Sequence, residues 1–140
     1  MANPGSLLVI DDDHDILLSL QDVLEVEGYR VITASSGREA LEYLREGLRP
    51  DLILLDLMMP EVSGWAFRAR QRADPALASI PVVVVSGQGL SAQQVSQLGV
   101  AGYLPKPVDL DMLLDTVARF TSPHEHQEVA SWRLTQSEDQ

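Results

Sequence analysis

Along the chain, short runs of aliphatic residues alternate with stretches in which apolar positions recur every three or four residues. The runs at 7–10, 29–33, 52–55, 82–85 and 102–104 read as strands. Leu52-Ile53-Leu54-Leu55 and Val82-Val83-Val84-Val85 have no polar alternation, which predicts strands covered on both faces. Between them, 15–27 predicts a helix with Ile16, Leu20, Val23 and Leu24 turned inward and Gly28 placed to end it. Ser36-Gly37-Arg38-Glu39 has the spacing of a capping box, opening a helix that buries Ala40, Leu41 and Leu44 before Gly47 and Pro50 stop it. Further helices are predicted at 64–73, broken by Asp74-Pro75, and at 92–98. In a last helix Asp109 is the cap and Leu110, Leu113, Leu114, Val117 and Phe120 the inward residues.

Five strands alternating with five helices imply a parallel sheet with right-handed crossovers and helices on both faces, a three-layer α/β sandwich. In such sheets ligands bind beyond the carboxyl ends of the strands, where strand order reverses. The residues at those ends are chemically distinctive. Asp11 and Asp12 follow the first strand, Asp56 the third, Ser86 closes the fourth, and Lys106 follows the fifth between Pro105 and Pro107. Three carboxylates, a hydroxyl and an ammonium on one rim suit a divalent metal and a phosphoryl group.

At 140 residues the chain has the length of one domain, able to bury roughly two-thirds of its unfolded surface. It contains no cysteine, which removes disulfides, thiolate chemistry and cysteine-ligated zinc. The amino terminus lacks a basic n-region and the first apolar run is broken by Asp11, so neither a signal peptide nor a membrane span is expected. A net charge of −11 disfavours nucleic acid and anionic lipid, leaving proteins and cations as the natural partners. The periodicity stops near Thr121, and 122–140 reads as a polar tail in which Val129, Trp132 and Leu134 are the sizeable apolar residues.

Asp11-Asp12, Asp56 with Pro60 and Gly64, Ser86-Gly87, and Tyr103 three residues before Lys106-Pro107 together resemble the receiver domain of two-component response regulators over residues 7–120. Singly these signals are weak; in this order, each after its own strand, they are specific. The resemblance implies a flavodoxin-like fold, a doubly wound five-stranded parallel sheet of order 2-1-3-4-5, a strand order that periodicity alone does not give. With a receiver domain at 1–121, the tail at 122–140 is too short for an output domain, and none is expected.

The resemblance also implies roles. Asp56 would accept a phosphoryl group from a phosphohistidine of a histidine kinase or phosphotransfer protein, as an acyl phosphate. Mg²⁺, with Mn²⁺ as a substitute, would be held by Asp12 directly, by Asp11 through water, by Asp56 and by the backbone carbonyl of Met58. Lys106 and Ser86 would contact the phosphoryl oxygens. Ser86 and Tyr103 would form the switch that changes a protein-binding face made by the fourth helix, fifth strand and fifth helix. Lys106-Pro107 would be a cis peptide bond. The implied protein is a cytoplasmic signalling module rather than an enzyme, beyond slow self-dephosphorylation. It would act on a downstream protein target, without contacting nucleic acid or membrane, as a monomer or weak phosphorylation-linked dimer.

Some features depart from the pattern. The segment from Ser86 to Lys106 is about two residues shorter than usual in such domains, so the fourth helix is expected to be short or mobile. Met58 and Gln88 flank the pocket where dephosphorylation is tuned, and a thioether at Met58 cannot orient water strongly, which points to a longer-lived phosphoryl state. Taken singly, each residue also has a plainer reading: Asp11-Asp12 as helix N-terminal acids, Ser86 as a loop residue, Lys106 as a turn charge, Tyr103 as a strand aromatic, His14 as a solvated helix start. Trp65 and Phe67 read as packing or surface anchors, and His124, Glu125 and His126 as incidental tail residues. Alternatives from other classes are a receiver excised from a hybrid histidine kinase, an aspartyl-phosphate phosphohydrolase, which lacks a second acid at Met58, a flavin carrier, disfavoured by the acidic loops, and an unphosphorylated scaffold.

Overall fold

The computed structural model describes residues 5–87 and 89–121. Gln88 and the tail, with His124, Glu125, His126 and Trp132, lie outside the described residues. The elements run β1 (Ser6–Ile10), α1 (His14–Val26), β2 (Arg30–Ala34), α2 (Gly37–Arg45), β3 (Leu52–Leu55), α3 (Gly64–Ala73), β4 (Val82–Ser86), α4 (Ala92–Leu98), β5 (Gly102–Pro105) and α5 (Leu110–Thr121). The strands form one parallel sheet in the order β2-β1-β3-β4-β5. This is the flavodoxin-like arrangement that the resemblance implies.

Period two in the strands divides the interior into two layers. Leu8, Ile10, Ile53, Leu55, Val82 and Val84 face α2, α3 and α4, meeting Leu41, Leu44, Phe67 and Leu98. Their neighbours Leu7, Val9, Leu52, Leu54, Val83 and Val85 face α1 and α5, meeting Leu17, Leu20, Leu24, Leu113 and Val117. A continuous apolar run is therefore read twice, once by each helical layer. That explains why β3 and β4 carry no polar residue before the rim.

Local chemistry sets the helix starts. Asp13 caps α1, its carboxylate accepting the N–H groups of Asp15 and Ile16, so the helix begins at His14 rather than Asp15. Ser36 accepts from the N–H of Glu39, but the Glu39 carboxylate takes the N–H of Ser35 at 2.7 Å, one residue before a closed capping box. A complete box closes instead at Ser91 and Gln94, opening α4. Asp109 accepts the N–H of Met112, as its position predicts. On α5 Leu110 is half exposed rather than inward, because it precedes the first buried turn; Leu113, Thr116 and Val117 fill the interface.

Gly64 lies where α3 begins against the loop after β3. A Cβ there would collide with the backbone oxygen of Asp56 and lie 2.6 Å from the Cα of Leu57. Backbone cannot yield as a flexible side chain can. Gly64→Ala is expected to cost about 1–3 kcal/mol, read as a lowered denaturant midpoint with the slope unchanged. A midpoint equal to that of the native chain would show that the loop relaxes freely.

Candidate functional site

Register carries the chemistry to one rim. Ile10 pairs with Leu55, Leu55 with Val84 and Ser86 with Pro105, so the residues that follow these strand ends emerge side by side. The ladder continues beyond the strands: the Asp56 N–H donates to the Ile10 carbonyl at 2.9 Å and the Lys106 N–H to the Ser86 carbonyl at 3.0 Å. Asp11, Asp12, Asp13, Asp56, Met58, Gly87 and Lys106 line an open cleft of about 440 Å³. It lies beyond the carboxyl ends of β1 and β3, at the point where strand order reverses.

Asp11 and Asp56 are buried, whereas Asp12 is exposed. One carboxylate oxygen from each of the three lies within 4.8 Å of the others. Asp11 is engaged on both oxygens, Oδ1 accepting the N–H of Asp13 at 2.9 Å and Oδ2 the Lys106 ammonium at 2.7 Å. On Asp56, Oδ1 accepts the N–H of Met58 at 3.2 Å and stands 3.8 Å from the Lys106 ammonium. Lys106 is the chain's sole lysine, and the Lys106–Pro107 peptide bond is cis.

Burial is the main reason that the Asp56 carboxyl is pushed up to about 6, and the charges of Asp11 and Asp12 add to it. The Met58 N–H and the Lys106 ammonium pull the other way without cancelling it. One ammonium cannot neutralise three carboxylates, so the rim retains an excess of negative charge held by hard oxygen donors. Such a donor set fits a small divalent cation.

Ser86 and Tyr103 are placed behind the cleft rather than on its wall. Ser86 is fully buried, Gly87 forms the lining next to it, and the Tyr103 hydroxyl donates to the Ser86 carbonyl at 3.4 Å. Met58 projects outward at the mouth, 60% exposed. His14 contributes to a separate polar hollow between α1 and α2, beside Glu39 and Tyr43. Phe67 is core, and Trp65 is half-buried on α3. Asp13 is the member that residue-by-residue reading passed over. Its signal is its position as the third acid before an amphipathic helix, where an N-cap belongs.

A family model described as "Response regulator receiver domain" matches residues 7–118. The chain belongs to that family and is a response regulator receiver domain, a signalling module. It is 38% identical over 116 residues to response regulator Rre1 of Synechocystis sp., covering 81% of this chain but 50% of that protein. With the polar-differentiation response regulator DivK of Brucella anthropi it shares 32% identity over 119 residues, covering 84% of this chain and 96% of DivK. Among solved structures, a response regulator receiver protein from Pseudomonas putida superposes with a TM-score of 0.78 at 34% identity, over 85% of this chain and 99% of that one. Among the described residues no helix is long and apolar enough to cross a membrane.

Proposed function

We propose that Asp56 is the phospho-acceptor, and that the chain works as a cytoplasmic receiver switching a protein-binding face. The observation that carries the proposal is the Asp56 carboxylate, buried at a strand end with two further carboxylates and one ammonium in the same cleft. A carboxylate oxygen of Asp56 attacks the phosphorus of a phosphohistidine on a histidine kinase or phosphotransfer protein. The new O–P bond forms as the P–N bond breaks, and the imidazole leaves with the bonding pair. When bound, Mg²⁺, or Mn²⁺ in its place, screens the repulsion between the two anions. Asp12, Asp56 and the Met58 carbonyl would hold it directly. Asp11, both of whose oxygens already accept hydrogen bonds, suits an outer role through water.

Lys106 then exchanges part of its pairing with Asp11 for the phosphoryl oxygens, offsetting an added charge of about −1.5 to −2. Ser86 joins the same group by rotating its hydroxyl toward the cleft, and the Tyr103 ring follows the change at the Ser86 carbonyl. A downstream protein that prefers the resulting face reads the state. The receiver would act as a monomer or weak phosphorylation-linked dimer. Nothing at Met58 serves as a second acid or base, which argues against turnover as a phosphohydrolase and for slow loss of the group.

Intact-mass spectrometry after incubation with acetyl phosphate tests the proposal. The native chain should gain one phosphoryl group in Mg²⁺ and none in EDTA, Asp56→Ala should gain none, and the adduct should decay slowly once acetyl phosphate is removed. An adduct that persists in Asp56→Ala moves the acceptor elsewhere. None on the native chain, sampled within seconds, removes the reading.

A further inference from the structure

α4 is fastened to the domain most firmly at its carboxyl end. Of its seven residues only Leu98, the last, is buried, while Ser91, Ala92 and Gln93 at the other end are exposed. That amino-terminal end is self-contained: Ser91 and Gln94 exchange the hydrogen bonds of a capping box, so its first N–H groups need nothing from the body of the domain.

The carboxyl end is held from outside. No basic residue stands in the last turn of α4, where a cation would favour the helix dipole. Two arginines of α3 supply it instead. Arg68 donates from Nε to the Leu98 carbonyl at 2.9 Å and from Nη2 to the Gly99 carbonyl at 2.7 Å. Arg72 donates from Nη1 to the carbonyls of Gln97 at 3.0 Å and Leu98 at 3.2 Å. The Val95 and Ser96 carbonyls accept from the N–H of Gly99, which turns left-handed at φ 63°. Every carbonyl from Val95 to Gly99 therefore has a donor, and for three of them it is an arginine.

Arg68 is itself anchored. It is 7% exposed, and its Nη1 donates to Oε1 of the fully buried Gln71 at 2.6 Å. Gln71 in turn donates to the carbonyls of Leu77 and Ile80, tying α3 to the approach to β4. A guanidinium placed so deep is costly to move, because each donor it gave up would be left without water.

We propose that Arg68 and Arg72 form a clamp that makes the carboxyl end of α4 a fixed pivot, so that α4 answers a change at Ser86 by swinging its amino-terminal end. The swing rests on the phospho-acceptor reading above. It follows from the placement of attachments. Ser86 precedes α4 by a short connection that contains Gly87, Gly89 and Leu90, the last half-buried against the core. Within the helix Gln94 and Val95 are half-buried while, among the described residues, the fully buried or cation-held contacts are at Gln97, Leu98 and Gly99. A partner contacting α4 would thus see its first turn displaced and its last turn unchanged.

Residue-resolved amide exchange and chemical shifts by NMR on the full chain in Mg²⁺, with and without beryllofluoride as the phosphoryl mimic, test both halves. Without beryllofluoride, Arg72→Ala should speed exchange of the amides at 97–99 by about tenfold while the rest of the spectrum stays native. Arg68→Met provides the same comparison from the buried arm of the clamp. With beryllofluoride, the native chain should shift the amides at 91–95 more than those at 97–99, and Arg72→Ala should spread the shifts through Leu98. Unchanged exchange at 97–99 in both variants would overturn the clamp. Equal shifts along the whole helix in the native chain would overturn the pivot. If beryllofluoride perturbs neither Asp56 nor Lys106 in the native chain, the phospho-acceptor reading fails and the pivot with it, while the exchange result still decides the clamp.

Discussion

Metal-free Asp56→Asn is expected to be more stable than the native chain at pH 8, by about 1–3 kcal/mol, in addition to losing phosphoryl uptake. Burial, with the charges of Asp11 and Asp12, holds the folded Asp56 carboxyl at about 6, above its unfolded value of about 3.9. Between these values the folded chain binds more protons than the unfolded one, so stability falls as pH rises through the window and the full cost is present above about 6. A difference of about two pH units corresponds to roughly 3 kcal/mol. The amide introduced by this substitution keeps an oxygen for the Met58 N–H but offers no anion to Lys106, which removes part of the gain. Urea melts of both chains in EDTA, repeated from pH 4 to 8, measure the difference. It should shrink towards pH 4, where the folded Asp56 is protonated and the unfolded one about half so. A difference that stays constant across the range, or favours the native chain at pH 8, would show that the cleft solvates Asp56 well enough to remove its cost.

Divalent cation should reverse that pattern. The site gathers three carboxylates against one ammonium, and Lys106 is 2.7 Å from Asp11 but 3.8 Å from Asp56, so the attraction for a cation is concentrated where Asp12 and Asp56 meet. A ligand that binds only the folded chain stabilises it by about 1.4 kcal/mol for each tenfold excess over its dissociation constant. Titrating MgCl₂ at pH 8 should raise the melting temperature of the native chain by several degrees and flatten its decline with pH, because the ion favours ionised Asp56. Asp56→Asn should respond much less. NaCl at matched ionic strength isolates simple screening. An equal rise with NaCl, or an equal rise in Asp56→Asn, would mean that no specific cation site is formed.

The arginine contacts on α4 illustrate where one-dimensional reading stops. Nothing in Arg68-Ala69-Arg70-Gln71-Arg72 separates the arginine that is buried from the two that are exposed, since helical period constrains apolar residues far more than charged ones. Arg68 is buried because it reaches carbonyls 30 and 31 positions further along while also donating to the buried Gln71. The closed capping box at Ser91 was legible in principle, as a serine followed three residues later by Gln94. The box read at Ser36 has the right cap, but Glu39 reaches Ser35 instead.

Five strands, five helices and the residues at the strand ends were all legible along the chain. Strands buried on both faces must be continuously apolar, so the first polar residue after each run marks the rim. That reasoning, with the resemblance, reached Asp11, Asp12, Asp56, Ser86 and Lys106. Which of them share the cleft wall was a matter of three-dimensional packing. Register and strand order bring Asp11 and Lys106 to 2.7 Å across 95 positions of chain, bury Ser86 behind Gly87, and leave Leu110 half exposed. Periodicity reports which face of an element is apolar, whereas distances between elements depend on how those faces are packed.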